Sequence, residues 1–453
     1  MYQALITHIT VREHPNPEIK RLAVGNAAGH QLIVSKDTPE GTLGVLFPPD
    51  GQLSHEMCYH NNLYRLGKGE NADPKASGYF EENRRVRTQK FKGIASEGIW
   101  FPLESLAWTG ADLSELKAGE TITALNGKLL CEKYYSKATR RAMDQQKKQG
   151  RKTKLAPMFK EHFDTPQLRY TIGAIPDGAR LIITEKLHGT SGRSMHGQVV
   201  EIKQILPFYL ETYLLALAWL SSYISLPNWL FPDLSRYEVE ETRWEHIMGT
   251  RRVVRFGEGN SVGDWYAGTN FRDQIHKNLA LHKGETLYYE IVGYDENGGT
   301  IMATYGLDGD DEVYKELRKQ YGKAPMVFSY GQEPGTYGVW VYRITMTNED
   351  GYSVEYSHDQ VVARCRELGL KVVPTLAIHQ LVGDFTKESL IELCSKLARG
   401  PSTLDSKHIR EGVCVRVESP EMNTILKWKG FEFAHLEGIA KNEDTFVDLE
   451  DVS

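Results

Sequence analysis

The sequence lacks any close pair of cysteines. Its five cysteines lie far apart, and no two of them form a C-x-x-C arrangement (Cys58, Cys131, Cys365, Cys394 and Cys414). An odd and scattered set does not build the disulfide framework of a small secreted domain, nor a thiolate zinc knuckle. We therefore expect a protein of a reducing compartment, the cytoplasm.

The chain also lacks an excess of positive charge. Its formal net charge is −6 over 453 residues. This balance argues against indiscriminate coating of nucleic acid, but it is compatible with a local basic groove.

Long apolar runs are scarce. The first twenty residues have neither the basic region nor the apolar core of a secretory signal. The apolar segment at 205–231 is interrupted by Pro207, Glu211 and Pro227, and its unbroken part is 212–226. A bilayer span needs roughly 20 residues. We therefore expect a packed helix here rather than membrane contact.

Length and a 40% hydrophobic content predict a globular protein of two to four domains. Residues 1–127 contain short strand-like runs separated by Gly and Pro turns, which predicts a small barrel or sandwich. Residues 128–158 are rich in Lys and Arg. They form either a solvated linker or a strip that contacts phosphates.

Residues 159–440 alternate between strand and helix patterns, which predicts an α+β domain with helices segregated from antiparallel strands. An apolar insert at about 203–243 is expected to form a helical subdomain on this core. Alternatively, Trp219, Trp229 and Phe231 form an exposed surface for a partner. Residues 441–453 read as an acidic tail.

Three features carry candidate chemistry. Lys186 ends an apolar strand and is followed by Leu-His-Gly. Glu290 and Glu411 stand in apolar strands, where a carboxylate is unfavourable unless it is paired, hydrogen-bonded or metal-bound. Lys427 and Lys429 share one face of a strand by alternation. Taken singly, each has a plain structural explanation as an exposed strand end, an outward-facing residue or a solvated edge.

Together and in this order, these residues resemble the covalent nucleotidyltransferases, the superfamily of ATP-dependent RNA and DNA ligases and mRNA capping enzymes. The string Lys186-Leu187-His188-Gly189 matches motif I in the form with His that a subset of RNA ligases has. Glu290 matches motif III, and Glu411 matches motif IV. Lys427 and Lys429 match motif V. As an ordered set from Lys186 to Lys429, the matches are specific.

The N-terminal part indicates which branch of this superfamily the chain resembles. Its strand and turn pattern looks like an OB-type barrel, and an OB domain before the transferase is the order of the Deinococcus-type RNA ligases. DNA ligases and capping enzymes usually carry an OB domain after motif V, and only residues 430–453 follow here. The resemblance implies an α+β fold in which an N-terminal OB-type β-barrel precedes a nucleotidyltransferase domain of ATP-grasp-like antiparallel sheets with flanking helices.

The implied activity is that of an ATP-dependent RNA ligase. Such an enzyme joins 3′-OH and 5′-phosphate ends through a lysyl-AMP and an adenylylated nucleic-acid end, here in RNA repair. Lys186 would be the nucleophile. Lys427 and Lys429 would favour its neutral form and offset charge on the α-phosphate. Glu290 and Glu411 would hold Mg²⁺ or Mn²⁺.

Further roles follow from the same resemblance. Tyr342 stands where family members carry an aromatic residue that stacks on adenine, although Arg343 replaces the usual acid that follows it. Glu185 would contact the base. Arg193 would contact ribose or the 5′-phosphate, unless it is an ordinary surface arginine. We expect His188 to help the later, strand-joining steps.

The expected partner is RNA, in nicked RNA or RNA/DNA duplexes, bound by a monomer without membrane contact. Basic residues around Phe91 form either a nucleic-acid track or a charged barrel rim (Arg84, Arg85, Arg87, Lys90 and Lys92). A DNA ligase, a capping guanylyltransferase and a non-catalytic OB nucleic-acid-binding protein are the alternatives. The sequence leaves open whether the substrate is a nicked duplex, a tRNA or a single strand.

Overall fold

The structure is a computed structural model. It describes residues 2–91, 94–146, 154–160, 165–204, 206–221, 227, 230, 237–251, 254–256, 271–277 and 279–440. Several sequence predictions therefore lie outside the described residues. They are those on Lys92, Trp229, Phe231, part of the basic segment and the acidic tail.

The N-terminal unit is built from short strands around one small helix, α1 (His55–His60). Its strands are β1 (Ala4–His8), β2 (Thr10–Glu13), β3 (Leu22–Ala27), β4 (His30–Ser35), β5 (Leu43–Phe47), β6 (Gly51–Leu53), β7 (Arg85–Val86), β8 (Thr88–Phe91), β9 (Ile94–Glu97), β10 (Ile99–Pro102), β11 (Thr121–Ile122), β12 (Ala124–Leu125), β13 (Lys128–Leu129) and β14 (Cys131–Lys133). Two 3₁₀ turns, Leu103–Thr109 and Leu113–Glu115, complete it.

These strands pair in five separate antiparallel sheets within the described residues. The sheet orders are β10-β5-β1-β11, β14-β6-β7, β2-β3-β4, β8-β9 and β12-β13. The hairpin β12-β13 turns at Asn126-Gly127, where both residues have positive φ, as a type I′ turn requires. Since no closed barrel is found among these sheets, the expected OB-type barrel is not confirmed.

The predicted basic linker starts inside this unit. Strands β13 and β14 pair with β12 and β6, so residues 128–133 are hydrogen-bonded to the N-terminal sheets. Helix α2 (Lys137–Gln146) follows.

The rest of the described chain contains two larger antiparallel sheets. The eight-stranded one follows the order β19-β18-β17-β20-β21-β22, with β15 beside β17 and β23 parallel to β21. Its members are β15 (Lys154–Leu155), β17 (Thr190–Gln204), β18 (Glu238–Gly249), β19 (Val254–Phe256), β20 (Glu285–Gly293), β21 (Tyr337–Thr347), β22 (Ser353–Glu355) and β23 (Lys371–Val372). The four-stranded one has the order β24-β16-β25-β26 and comprises β16 (Arg180–Lys186), β24 (Thr375–Gln380), β25 (Gly412–Glu418) and β26 (Asn423–Lys429).

Helices cover these sheets, so the α+β class predicted from the sequence is confirmed. They are α3 (Leu168–Thr171), continued by a 3₁₀ turn at Ile172–Ala174, α4 (Phe208–Ser221), α5 (Phe271–Lys277), α6 (Glu312–Tyr321), α7 (His358–Leu368), α8 (Lys387–Leu397) and α9 (Phe431–Ala440). A capping box at Ser357 and Gln360 starts α7, and Gly369 in the left-handed conformation ends it.

The apolar insert lies at the tip of a long hairpin. Strands β17 and β18 pair from Arg193–Gly249 out to Gln204–Glu238, and α4 lies between them in sequence. Leu210 and Leu217 of α4 are buried, whereas Phe208 is 84% exposed and Trp219 is 65% exposed. None of the described helices is long and apolar enough to cross a membrane.

Candidate active site

The four-stranded sheet presents one apolar face and one polar face. Leu181 and Ile183 of β16 lie in a core that includes residues of α3 and α8. Because side chains alternate along a strand, Thr184 and Lys186 face the other way. Trp428 is buried in the same core, so Lys427 and Lys429 share the polar face with Lys186.

Register brings these residues side by side. Lys186 is paired with Gly412, which is paired with Lys429, and Cys414 is paired with both Thr184 and Lys427. A Cβ at Gly412 would lie 2.2 Å from the Trp428 carbonyl oxygen. Only glycine therefore allows β25 and β26 to approach so closely next to Glu411.

A buried carboxylate joins two of the predicted lysines. Lys186 Nζ lies 2.6 Å from Glu411 Oε1, and Lys429 Nζ lies 3.8 Å from the same oxygen. The Glu411 side chain has no exposed surface, whereas the two lysines are each 18% exposed. Lys429 also contacts Glu437 Oε2, at 2.7 Å. Charges this far from water are retained because they are paired.

Glu290 and Tyr342 come to the site from the eight-stranded sheet. Glu290 in β20 accepts a hydrogen bond of 3.3 Å from Ser191 Oγ of β17. Burial raises the pKa of Tyr342, and the Glu290 carboxylate adds to this shift because it disfavours a second negative charge nearby. Tyr342 stands in β21, the strand that pairs with β20.

Arg416 of β25 donates to the Tyr342 carbonyl of β21 at 3.1 Å, so the two sheets are in contact. The Cys414 thiol lies on the same strand, β25. Burial raises its pKa to about 11. Lys186 and Lys427 oppose this shift, whereas Glu411 and Glu290 reinforce it. The thiol therefore lies within electrostatic range of two of the predicted lysines and both predicted carboxylates.

His188 is enclosed rather than open to the site. Its ring is edge-on to Phe328 and Phe433, with centroids 4.8 Å away in each case. Its Nδ1 lies 3.8 Å from Glu411 Oε2, and its backbone N–H donates to the Tyr330 hydroxyl at 2.6 Å. The contact with Glu411 connects the ring to the predicted site residues.

Glu185 is buried beside Lys186. Its Oε2 accepts hydrogen bonds from the Thr403 hydroxyl and from the Thr403 N–H, the latter at 3.0 Å, and lies 3.6 Å from Arg410 Nε. Its backbone N–H donates to the Pro374 carbonyl at 2.9 Å. The side chain is thus held by the loop between α8 and β25.

Arg193 is buried in β17. Its Nε donates to the Thr250 carbonyl at 2.8 Å, its Nη1 donates to the Lys160 carbonyl, and its guanidinium lies 4.2 Å from the Phe159 ring centroid. Arg85, predicted for the nucleic-acid track or barrel rim, is also buried and donates to the Gly438 carbonyl at 2.8 Å.

Sequence reasoning missed several residues around the site. Glu437 contacts Lys429, Tyr330 supports the backbone of His188, and Thr403 and Arg410 hold Glu185. Only Glu437 gave a usable signal, because it is a carboxylate within the apolar stretch after motif V. The others approach from loops whose position depends on the tertiary fold.

Comparison with known proteins defines the class. The family model for RNA ligase matches residues 179–429, which is more than half of the chain. The chain belongs to the RNA ligase family, and it is an enzyme of that class. The matched range contains every residue predicted for the site. No curated protein sequence matches the chain.

Solved structures similar to the chain include several of Naegleria gruberi RNA ligase. A variant with ATP and Mn superposes with a TM-score of 0.55 at 13% identity, covering 95% of this chain and 98% of that one. Another variant, with AMP and Mn, gives 0.55 at 14% identity over 95% and 97%. The same enzyme with PPi gives 0.53 at 13% identity over 94% and 96%. At this identity, the likeness concerns the fold.

Proposed function

We propose that the protein is an ATP-dependent RNA ligase that joins 3′-OH and 5′-phosphate ends in RNA repair. The observation that carries the proposal is Lys186 at the end of β16, 2.6 Å from the buried carboxylate of Glu411, with Lys429 beside the same oxygen. The family match and the similarity to an RNA ligase solved with ATP, AMP and Mn support this function.

In the first step, Lys186 Nζ attacks the α-phosphorus of ATP. A nitrogen–phosphorus bond forms, the bond to the pyrophosphate oxygen breaks so that pyrophosphate leaves, and the neutral amine gives up one of its two protons to solvent. Glu411 favours the charged amine while it contacts Lys186, so this contact must open before attack. The nearby cations Lys427 and Lys429 then favour the neutral amine and offset the charge on the α-phosphate oxygens.

AMP then passes from Lys186 to the 5′-phosphate of an RNA end, which frees the lysine. A 3′-hydroxyl attacks that phosphate, the phosphodiester bond forms, and AMP leaves. Each displacement is simpler than direct joining of two unactivated ends. We propose that His188 serves these later steps through its contact with Glu411.

The donor set fits a hard divalent cation. Glu290 and Glu411 offer two carboxylates, and Mg²⁺ or Mn²⁺ completes such a site with phosphate oxygens and water. Among the described residues no group of three or more metal-ligating side chains is assembled. The bound cation would neutralise phosphate charge and orient the pyrophosphate.

The nucleotide base would lie between the two sheets. We propose that Tyr342 stacks on adenine, since β21 pairs with the strand that carries Glu290 and the Tyr342 carbonyl accepts a hydrogen bond from Arg416 of the four-stranded sheet. Glu185 would contact the base and Arg193 the ribose or 5′-phosphate, as the family resemblance implies. The contacts of Arg193 with Thr250 and Lys160 favour a supporting position for this residue.

For the domains, we propose that residues 1–127 are an OB-type unit that binds nucleic acid, followed by the segment 128–158 and the adenylyltransferase domain at 159–440. Support comes from the short antiparallel strands and from fold similarity over 95% of the chain. Arg84 and Arg87 remain candidates for RNA contact, whereas the burial of Arg85 favours a structural role. A monomeric, cytoplasmic enzyme and a substrate with a nicked duplex remain predictions.

Labelling with α-³²P nucleotides tests the activity. The wild-type chain should acquire a covalent label from ATP and not from GTP, and Lys186→Ala should abolish it. Lys319→Ala, at an exposed lysine of α6 outside the site, is the matched control. A GTP label would indicate a guanylyltransferase, and no label would favour a binding protein. A label that persists in Lys186→Ala would refute the site. Sealing of matched RNA, DNA and mixed nicks then defines the substrate.

A further inference from the structure

Helix α9 begins directly after the strand that carries Lys429. Lys429 ends β26, Gly430 follows, and α9 covers Phe431–Ala440. The Gly430 N–H donates to the Glu411 carbonyl at 2.8 Å, which fixes the start of the helix against the site. Two turns later, Glu437 reaches back to Lys429. The helix therefore brings a further carboxylate into the site.

Glu437 holds Lys429 more closely than Glu411 does. The Lys429 Nζ lies 2.7 Å from Glu437 Oε2 and 3.8 Å from Glu411 Oε1. Glu411 is nearer to Lys186, at 2.6 Å. The Glu437 side chain is buried, so its contact with Lys429 is a charge-assisted hydrogen bond shielded from water. Among the carboxylates that the structure describes, Glu411 contacts Lys186 and Glu437 contacts Lys429 more closely.

The N-terminal unit fixes the far end of α9. Arg85 Nη1 donates to the Gly438 carbonyl at 2.8 Å, and a cation at this position satisfies a carbonyl at the end of a helix. Burial lowers the pKa of Arg85, and the Glu437 carboxylate opposes that shift. Neighbouring positions of α9 therefore contact a cation of the site and a cation of the N-terminal unit: Glu437 contacts Lys429, and Gly438 contacts Arg85.

We infer that Glu437 is a positioning residue for Lys429, so that the ammonium group meets the α-phosphate oxygens where charge builds during attack. The inference rests on the proposed function. A lysine side chain has four rotatable bonds, and Glu437 limits its positions. Without this carboxylate, Lys429 would turn to Glu411, the group that already contacts Lys186.

Single-turnover formation of the lysyl-AMP adduct tests the inference in the full chain. Glu437→Gln should lower the maximal rate by about 10- to 100-fold, because small misplacements in a site have effects of this size. The ATP concentration for half-maximal rate should change less than about twofold, as expected for an interaction that acts in the transition state. Glu432→Gln, on the same helix and paired with Arg399 at 3.9 Å, should keep the wild-type rate.

A double variant separates positioning from folding. In a Lys429→Ala background, Glu437→Gln should change the rate by less than about twofold, because the two residues act as one unit. Multiplied losses would overturn the inference, since they indicate a general structural defect. Glu437→Asp keeps the charge and should lose less activity than Glu437→Gln, and an equal loss would also overturn it.

The same assay separates failure of the proposed ligase function from failure of the positioning role of Glu437. A wild-type chain that forms no adduct with ATP would overturn the proposed function and this inference with it. A wild type that forms the adduct, together with a Glu437→Gln variant of unchanged rate, would overturn the inference alone.

Discussion

Lys186 and Glu411 are 225 positions apart in the sequence, and their side chains meet at 2.6 Å. The carboxylate has no exposed surface and the lysine is 18% exposed, so the pair forms the inner end of the site. A carboxylate this deep is stable only with partners, and it has two lysines within 4 Å. The same oxygen therefore links the proposed nucleophile to motif V.

Replacing Glu411 tests this link. We expect Glu411→Gln to slow adduct formation by about 100-fold or more, because it removes one of the two carboxylates proposed to hold the divalent cation that offsets phosphate charge. Glu421→Gln, at an exposed glutamate beyond β25, should leave the rate unchanged. Single-turnover labelling with ATP measures both. Wild-type adduct formation by Glu411→Gln would contradict the arrangement.

A second prediction concerns His188. The ring is enclosed by Phe328, Phe433 and Tyr305, so His188→Ala leaves a cavity and should destabilise the protein by about 2 kcal/mol. We expect the variant to form the lysyl-AMP adduct but to seal pre-adenylylated RNA more slowly. Separate assays of the two steps, with thermal unfolding alongside, provide the check. A loss of adduct as complete as in Lys186→Ala would disprove the role in joining.

The residues on the polar face of the four-stranded sheet could be predicted from the sequence. Alternation in Lys427-Trp428-Lys429 puts both lysines on one side, and the buried Trp428 shows that the other side is core. Lys186 could be assigned because it ends an apolar strand before a glycine. These features are local, and the periodicity of a strand determines them.

Contacts between segments that are distant in the sequence could not be predicted. Arg85 was assigned to a nucleic-acid track or a charged rim, yet it reaches Gly438 across 353 positions and is buried. Arg169 joins the Glu97 carboxylate of β9 at 2.7 Å and lies 3.9 Å from the Trp428 ring centroid. Such partners depend on how the N-terminal unit is packed, which no local pattern encodes.

The Arg169 contact gives a pH prediction through His30. Burial, followed by the nearby Arg169 cation, lowers the pKa of His30 well below its usual value of 6.5. Arg169 Nη1 lies 2.7 Å from His30 Nδ1, and it can donate only to a neutral ring. Below about pH 6.5 the unfolded chain binds this proton and the folded chain does not. Stability should therefore fall with decreasing pH, by up to about 1.4 kcal/mol per pH unit for this one group.

The His30→Gln variant isolates that contribution. Its free energy of unfolding, measured with urea between pH 5 and pH 8, should depend less steeply on pH than that of the wild type below pH 6.5. The glutamine amide can still accept a hydrogen bond from Arg169, but it does not bind a proton in this pH range. The two proteins should therefore differ mainly in the protonation of residue 30 in the unfolded chain. If the free energy of unfolding of His30→Gln depended on pH as steeply as that of the wild type, His30 would be able to bind a proton in the folded protein.

A final prediction uses Cys414 as a reporter of the nucleotide site. All five cysteines are free, and Cys414 is the one that is partly exposed. Burial raises its pKa to about 11, against about 12 for Cys58, Cys131, Cys365 and Cys394, so it should be alkylated first. Because the thiolate is the reactive form, alkylation should speed up about tenfold per pH unit between pH 7 and pH 9.

Because Cys414 shares its face of the sheet with Lys186 and Lys427, ATP bound there should shield it. N-ethylmaleimide should block adduct formation in the wild type, and prior addition of ATP should slow the modification. Cys414→Ser should remain active after the same treatment. If ATP gave no protection, the nucleotide could not lie over this face. If Cys414→Ser lost activity at the wild-type rate, Cys414 would not be the reactive cysteine. Mass spectrometry of the modified chain would then show which other cysteine had reacted.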